Sequence, residues 1–302
     1  MIDLRDTLDR KPVRDREGVL DFLESADTDY CANFGDQWNR FSRIQSDFHS
    51  GSDESRTRFF AETGWAPGEL KGKVLLDAGC GAGRFSEIAL ESGAQVVAVD
   101  ISRAAYACRA NLDRFPAEQF LVLRGDLFNL PLKPGSFDGA FSLGVLQHTP
   151  DPMRALTSLV PLLKPGARLA TWIYENRWPA VRRFMPRTWI RGLTHNWKDS
   201  SRLALARVLT FLFFPAGWVL SWIGRVGERL SMFLPYAARH HLRRGSWPAQ
   251  WQYCVQDTYD WYGPQYELTQ TEETVKATLA NAGLTNVRRL PARGMAIVGE
   301  SA

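Results

Sequence analysis

The sequence predicts an α/β fold built on an open, mostly parallel sheet, and three observations carry that expectation. First, an apolar run ending in an acid, V-L-L-D-A at residues 74–78, passes at once into glycines at every second position, Gly79, Gly81 and Gly83. A strand needs this if it must turn sharply into a helix while a ligand lies against its backbone. Second, three more apolar runs follow in order, A-Q-V-V-A-V-D-I-S, F-L-V-L-R-G-D-L and F-D-G-A-F-S-L-G-V-L-Q-H, each with a polar or acidic close. Third, the helix-like run M-R-A-L-T-S-L-V-P-L-L ends at Lys164-Pro165-Gly166, a stop-and-turn signal that hands the chain to a strand, A-R-L-A-T-W-I-Y. That is another βαβ unit.

The first turn decides which ligand it suits. In a dinucleotide fingerprint the third small residue lets the helix pack close to the strand, but Arg84 stands at that place here. Asp77 beside the turn repels a pyrophosphate and favours a cationic group. Asp100 closes the second strand inside the window of about 20 residues at which a ribose-binding acid is expected, and Ile101 after it offers apolar area to an adenine. Near the C-terminus, Thr269 with Glu272 reads as a capping box for a helix ending at Gly283, after which N-V-R-R-L and M-A-I-V-G alternate as two strands joined by P-A-R-G.

The pattern D-x-G-x-G-x-G from Asp77 resembles motif I of the class I methyltransferases that use S-adenosylmethionine, and Gly125-Asp126-Leu127 and the stretch from Leu143 to His148 are similar to later motifs of that family. The resemblance covers residues 73–174 and resumes in the tail. It implies a Rossmann-like seven-stranded methyltransferase sheet with an antiparallel C-terminal hairpin. S-adenosyl-L-methionine is then the cofactor, held by Asp77, Ala78, Gly79, Gly81, Gly83, Asp100, Ile101, Asp126, Leu127 and Leu143. In this family the acid at Asp126 takes the adenine amino group. A dinucleotide dehydrogenase is expected to close its sheet with parallel strands instead.

Composition agrees. A chain of 302 residues, 45% hydrophobic, can bury one large core or two modest ones. Cys31, Cys80, Cys108 and Cys254 show no C-x-x-C spacing and no histidine partners at metal-site intervals, so reduced thiols in a cytoplasmic protein are expected, with no metal. Cys80 serves as a small spacer in the turn. The N-terminus is charged and has no apolar h-region, so no secretory signal is expected.

Charge sets one segment apart. Residues 176–244 carry thirteen Lys or Arg against Asp199 and Glu228, a local net of +11 in a chain whose total is +4, so the remainder carries −7. Inside it, residues 208–224 are uncharged, bracketed by Arg207 and Arg225 and interrupted by Pro215. A spanning helix needs about 20 apolar residues, so two helices broken at Pro215 and resting on an anionic membrane are the better expectation. The plainer reading is a lid that buries Phe211, Phe213, Phe214, Trp218 and Trp222, and the two are compatible, since a lid that touches the bilayer could pass a lipid-like substrate into the pocket. Nucleic acid is not expected, because arginines around a long apolar run suit lipid better than a phosphate-tracking groove.

The N-terminal segment places Phe34, Trp38 and Phe41 at i, i+4 and i+7 on one helix face, with a longer reach to Phe48. Core packing explains such a face. The segment also resembles a bacterial small-molecule branch of the family, loosely like the quinone-biosynthesis and natural-product methyltransferases, in which the stretch before motif I covers the cofactor. The roles implied are a cap at residues 34–41 and a substrate wall from Trp38, Trp261, Tyr262 and Tyr266.

His148, just after the fourth strand, stands at the lip of the expected crevice as a general base for an oxygen or acidic-carbon nucleophile; the alternative is a histidine bonded to its own loop at Thr149 and Asp151. No N-P-P-Y run and no Pro-Cys pair follows that strand, which disfavours exocyclic base nitrogens and cytosine C5 as acceptors. The expected organisation is an N-terminal helical cap at 1–65, a methyltransferase core at 66–174 and 251–302, and a basic, aromatic-rich helical insert at 175–250. The expected activity is methylation, at oxygen rather than carbon, of a small hydrophobic or lipid-linked molecule by a cytoplasmic protein peripheral on the inner face of the membrane. An NAD(P)-dependent oxidoreductase and a membrane-associated, non-catalytic cofactor-binding protein are the alternatives.

Overall fold

A computed structural model of the chain describes residues 1–24, 31–43, 46–176, 184–238 and 246–302. In chain order its main elements are β1 (Arg14–Arg16), β2 (Val19–Asp21), α1 (Ala32–Arg40), α2 (Asp47–Ser50), α3 (Glu54–Thr63), β3 (Val74–Ala78), α4 (Arg84–Glu91), β4 (Gln95–Asp100), α5 (Ala104–Asn111), β5 (Phe120–Arg124), β6 (Phe137–Leu143), α6 (Pro152–Thr157) and β7 (Leu163–Ile173). There follow α7 (Pro186–Thr194), α8 (Asp199–Ser221), α9 (Gly224–Ser231), α10 (Trp247–Tyr262), α11 (Glu272–Asn281), β8 (Leu284–Arg289) and β9 (Met295–Ser301). Two compact units result, residues 1–176 with 266–302, and residues 177–265.

The first unit is the α/β body. Its sheet runs β1-β2-β5-β4-β3-β6-β7-β9-β8, parallel from β2 to β7, with β9 antiparallel between β7 and β8. The central strands are near-continuous apolar runs because both sheet faces are covered. Alternation sends Leu76, Ala78, Val97 and Val99 into one core layer and Leu75, Val96, Ala98 and Ala170 into the other. The seven expected strands and the antiparallel hairpin are present. Two more extend the sheet, since β2 adds parallel to β5 and folds back on β1, so the N-terminal region is not wholly a helical cap.

Several local expectations are corrected. Lys164-Pro165-Gly166 is not a turn between elements but lies within β7, where the pairing with β6 slips from Phe137↔Leu163 to Gly139↔Arg168. Gly166, at φ 74°, supplies the kink of that bulge. The helix cap near the C-terminus is Thr271, whose hydroxyl accepts from the Thr274 N–H, rather than Thr269. The cap helix α1 stops at Arg40, and Phe48 belongs to α2, where it is exposed under the Arg114 guanidinium 4.3 Å away.

The second unit is helical, and its boundary falls after Gln265 rather than 250 because α10 packs along α8. Pro215 does not break α8. The helix runs through it for 23 residues, since the one bond that Pro215 withholds belongs to the Phe211 carbonyl on the exposed face. Gly217 is what the packing requires: a Cβ there would stand 1.8 Å from the Tyr236 hydroxyl. Phe214, Tyr236 and Cys254 form the centre of this small core, and Trp247 and Trp251 lie tilted against Phe214 at 5.2 and 6.0 Å. Of the five aromatics named for a buried lid only Phe214 is fully buried, while Phe211 and Trp222 are 71% and 68% exposed. Six of the segment's arginines, at 177, 182, 183, 239, 243 and 244, lie outside the described residues.

Candidate active site

The parallel strands bring the predicted acids to one edge of the first unit. Asp77 sits near the end of the central strand β3, in register with Ala98 of β4 and Phe141 of β6. The turn after it is tied to β4, with the Gly79 and Cys80 N–H groups donating to the Val99 carbonyl at 2.8 and 2.9 Å. Gly79, Gly81 and Gly83 all have positive φ, as their spacing implies.

Asp77 is buried, and its carboxylate accepts from the Ser86 hydroxyl at 2.6 Å. Burial pushes its pKa up to about 7; Ser86 opposes the rise and the neighbouring Asp100 adds to it. A carboxyl so placed costs free energy when ionised, and a cation beside it removes that cost. Asp100, half-buried, accepts from the Gly81 N–H at 2.9 Å and from the Ser102 N–H and hydroxyl at 2.8 and 2.7 Å. Burial raises its pKa too, against the pull of Ser102, Gly81 and Arg124.

The next strand end is joined to this one by the Gly125 N–H, which donates to the Asp100 carbonyl at 3.1 Å. Asp126 then caps a short turn by accepting from the Phe128 N–H at 2.9 Å, and Leu127 is buried. Ile101 is half-buried, its carbonyl taking a 3.3 Å bond from Arg124, which itself pairs with Asp21 of β2. Thus the unforeseen strand β2 anchors the loop after β4 through Arg124. Leu143 ends β6 and is buried, and Ala78 ends β3 with its carbonyl accepting from the Ser142 hydroxyl. Arg84 begins α4 and turns to α3, where its Nε donates to Ser55 at 2.7 Å. Cys80 is a buried thiol whose pKa burial, with Cys108 adding, pushes well above the usual range, in keeping with a spacer.

The cap helix reaches this edge. The Trp38 indole nitrogen is 3.4 Å from where a Cβ on Gly81 would stand, and the Phe34 ring is 5.0 Å from that of His148. His148 is buried in the short helical turn after β6. Its Nδ1 lies 2.9 Å from the Tyr266 carbonyl and its ring meets Tyr174 edge-on at 5.6 Å. Nδ1 is therefore engaged by Tyr266 rather than by the loop at Thr149 and Asp151. Tyr266 itself is half-buried.

The two remaining wall residues belong to the second unit. The Trp261 ring carries the Arg187 guanidinium at 5.1 Å. Tyr262 has no exposed surface, and its hydroxyl donates to the Pro235 carbonyl at 2.8 Å inside its own unit, so it has nothing to offer a substrate.

Sequence reasoning missed a set of amides. Asn33 Nδ2 and Gln37 Oε1, one turn apart on α1, and both amide atoms of Gln147 beside His148 are buried with no hydrogen-bond partner among the described residues. Buried polar atoms left open in this way need a ligand or ordered water. A cofactor with an amino-acid end and an adenosine end fits what is present: open amide groups on the cap, a buried acid wanting a cation, and a second acid at the end of the next strand. Ser86 and Ser102, which hold the two acids, were legible only in part: D-I-S at 100–102 is a local side-chain turn signal.

Comparison with known proteins agrees. The family described as "Methyltransferase domain" matches residues 76–171. A ubiquinone biosynthesis O-methyltransferase from Xanthomonas euvesicatoria pv. vesicatoria is 33% identical over 140 residues, which are 43% of this chain and 57% of that protein. The O-methyltransferase cnsE of Penicillium expansum is 34% identical over 115 residues, 37% of this chain and 42% of that protein. The chain thus spans about half the length of the curated relatives it matches. Among solved structures, magnesium protoporphyrin IX methyltransferase from Synechocystis PCC 6803 aligns over 91% of this chain and 97% of that one, with 19% identity and a TM-score of 0.48. Residues 76–171 of the chain thus match the methyltransferase domain family.

Proposed function

We propose that the protein methylates an oxygen atom of a small, hydrophobic or lipid-linked acceptor. The observation that carries this reading is the setting of His148. A carbonyl can only accept, so the 2.9 Å contact with Tyr266 calls for a proton on Nδ1, and in the neutral imidazole the lone pair then lies on Nε2, the form a general base requires. Phe34 and Tyr174 against the ring give the surroundings an apolar character that suits such an acceptor. The relatives named as O-methyltransferases favour oxygen over carbon.

The bound cofactor supplies a methyl group on a positively charged sulfur. Asp77 and Asp100 would hold its cationic and ribose parts and Asp126 with Leu127 its adenine, while α1 lays Trp38 against the glycine turn. Alignment with exclusion of water can supply about 7–11 kcal/mol. His148 Nε2 would take the acceptor's hydroxyl proton. The Tyr266 carbonyl then steadies the imidazolium through Nδ1. Trp38 and Tyr266 are the residues assigned to the acceptor within the first unit.

His148→Ala is expected to lower turnover by about 10²–10⁴-fold, the usual contribution of a general base, and to leave the affinity for S-adenosylhomocysteine unchanged. Turnover equal to wild type in single-turnover transfer of labelled methyl would remove His148 from the chemistry. Asp100→Ala is expected to weaken S-adenosylhomocysteine by about 1–3 kcal/mol, since bonds to a charged acceptor are at the strong end. Titration calorimetry reads this directly, and the same instrument with NADH tests the oxidoreductase alternative, which tighter NADH binding would favour. The activity is assigned to the reducing cytoplasm, where the four buried cysteine thiols would stay reduced.

A further inference from the structure

We infer that the second unit docks on an anionic lipid bilayer through the outward face of α8 and the adjoining α9, lying in the headgroup region rather than crossing it. The inference stands on this unit alone and does not depend on methyl transfer.

The two faces of α8 are both apolar, and only one is covered. Phe214 and Gly217 turn inward to Tyr236 and the tryptophans of α10. Val208, Phe211, Leu212, Val219, Trp222 and Ile223, at helical spacing, stay exposed. An uninterrupted exposed apolar stripe of this kind is a docking surface far more often than an ordinary protein exterior. The next helix continues it: Val226 and Leu230 of α9 are exposed, with Arg225 and Arg229 exposed one residue before each.

Charge chooses the occupant. Beside the stripe Arg207, Arg225 and Arg229 are exposed against Glu228 alone, so a second copy of the same surface would repel itself. A polynucleotide would answer the arginines but leave the apolar stripe in water. A bilayer with acidic headgroups answers both, apolar side chains entering the acyl boundary while arginines stay at the phosphates, and tryptophan is favoured at that depth.

Two facts oppose crossing, although among the described residues α8 is the one helix long and apolar enough to be considered for it. Its uncharged stretch, residues 208–224, rises by about 1.5 Å per residue and so falls short of a hydrocarbon core of about 30 Å. Its inner face is also bound to α10, whose Gln250, Gln256 and Asp257 would have to enter the hydrocarbon with it.

The test is flotation of the full chain with vesicles of phosphatidylglycerol and phosphatidylcholine in equal parts, beside vesicles of phosphatidylcholine alone. The protein is expected to float with the first and to partition roughly tenfold more weakly onto the second, as two or more arginines near the surface imply. Phe211→Ser with Trp222→Ser should cut partitioning by about a hundredfold, the loss expected for two large apolar side chains, with the circular dichroism spectrum unchanged. Arg225→Glu with Arg229→Glu should erase the preference for the acidic vesicles. Absence of flotation overturns the inference. So does bound protein that resists an alkaline carbonate wash, which means a spanning helix. A dimer in sedimentation equilibrium that Phe211→Ser with Trp222→Ser dissociates, without flotation, assigns the face to a second copy and overturns it as well. Flotation with no methyl transfer would leave this inference standing and remove only the proposed activity.

Discussion

Replacing Asp77 by asparagine is expected to make the protein more stable without its cofactor and worse at holding it. The Asp77 carboxyl is buried in the middle of the sheet, and Ser86, through its hydroxyl and N–H, is its hydrogen-bond support. Burial carries its pKa to about 7, above the value of about 3.9 in an unfolded chain. The sign follows from proton counting. Between those two values the folded state holds a proton that the unfolded state has released, so stability falls as pH rises through the window and levels off above 7. At about 1.4 kcal/mol per pH unit the full loss approaches about 4 kcal/mol, and about 3 kcal/mol of it develops between pH 5 and pH 8. An asparagine in its place cannot ionise, and the amide carbonyl can still accept from Ser86. The advantage of the variant in urea unfolding is therefore expected to be small at about pH 5 and to grow by about 3 kcal/mol at about pH 8. A difference that does not change with pH would mean that Asp77 is not the linked group.

The same proton links Asp77 to ligand binding. A cationic group placed beside the carboxylate lowers its pKa, so wild-type binding releases a proton below about pH 7 and weakens as pH falls from there. In the asparagine variant that part of the pH dependence is expected to vanish, along with the affinity the charge supplies. Calorimetry of S-adenosylhomocysteine in two buffers of different ionisation heat counts the protons. Stability given up at a binding position is a common arrangement in enzymes, because the strained group is relieved only by the ligand.

Much of this was legible in the residues, and what was not has identifiable causes. Strands β3 to β7 were readable because each is a buried apolar run with a chemically marked end, and Asp77 and Asp100 were found by their distance from the glycine turn. β1 and β2 escaped notice because they are three residues each, one of them R-D-R with every side chain exposed, and neither shows a period. Pro215 misled because a proline signals a break only where the lost bond cannot be replaced, and the sequence does not say which face of α8 is exposed. The open amides of Asn33, Gln37 and Gln147 carry no pattern; they become visible only when burial and partners are known together. Tyr262 shows the converse: a tyrosine in an aromatic run reads as a substrate wall until its hydroxyl is found bonded to Pro235.

Gly79→Ala is expected to damage stability, cofactor binding and turnover together. At φ 90° the position lies where an L side chain is strained by about 1–2 kcal/mol. Its Cβ would also fall 2.3 and 2.5 Å from the two γ-carbons of Val145 and 2.9 Å from its Cβ. Neither side gives way easily. The Gly79 N–H is held to Val99 at 2.8 Å, and a β-branched valine has little rotamer freedom with which to swing aside. Overpacking of this kind costs about 1–3 kcal/mol more, so a total of about 2–5 kcal/mol is expected in urea unfolding. The strain does not stay local. Val145 directly precedes the turn Leu146–His148, so moving it displaces the imidazole assigned to proton transfer. Adding Val145→Ala removes the two γ-carbons but not the Cβ at 2.9 Å, and is expected to recover part of the overpacking cost while leaving the backbone cost of about 1–2 kcal/mol. Gly68→Ala, where a Cβ meets nothing within 4 Å and φ is not positive, is the control and should change stability by no more than about 0.5 kcal/mol. A Gly79→Ala protein that unfolds like wild type, binds S-adenosylhomocysteine as tightly and turns over as fast would show that the chain does not turn at Gly79 in the manner described.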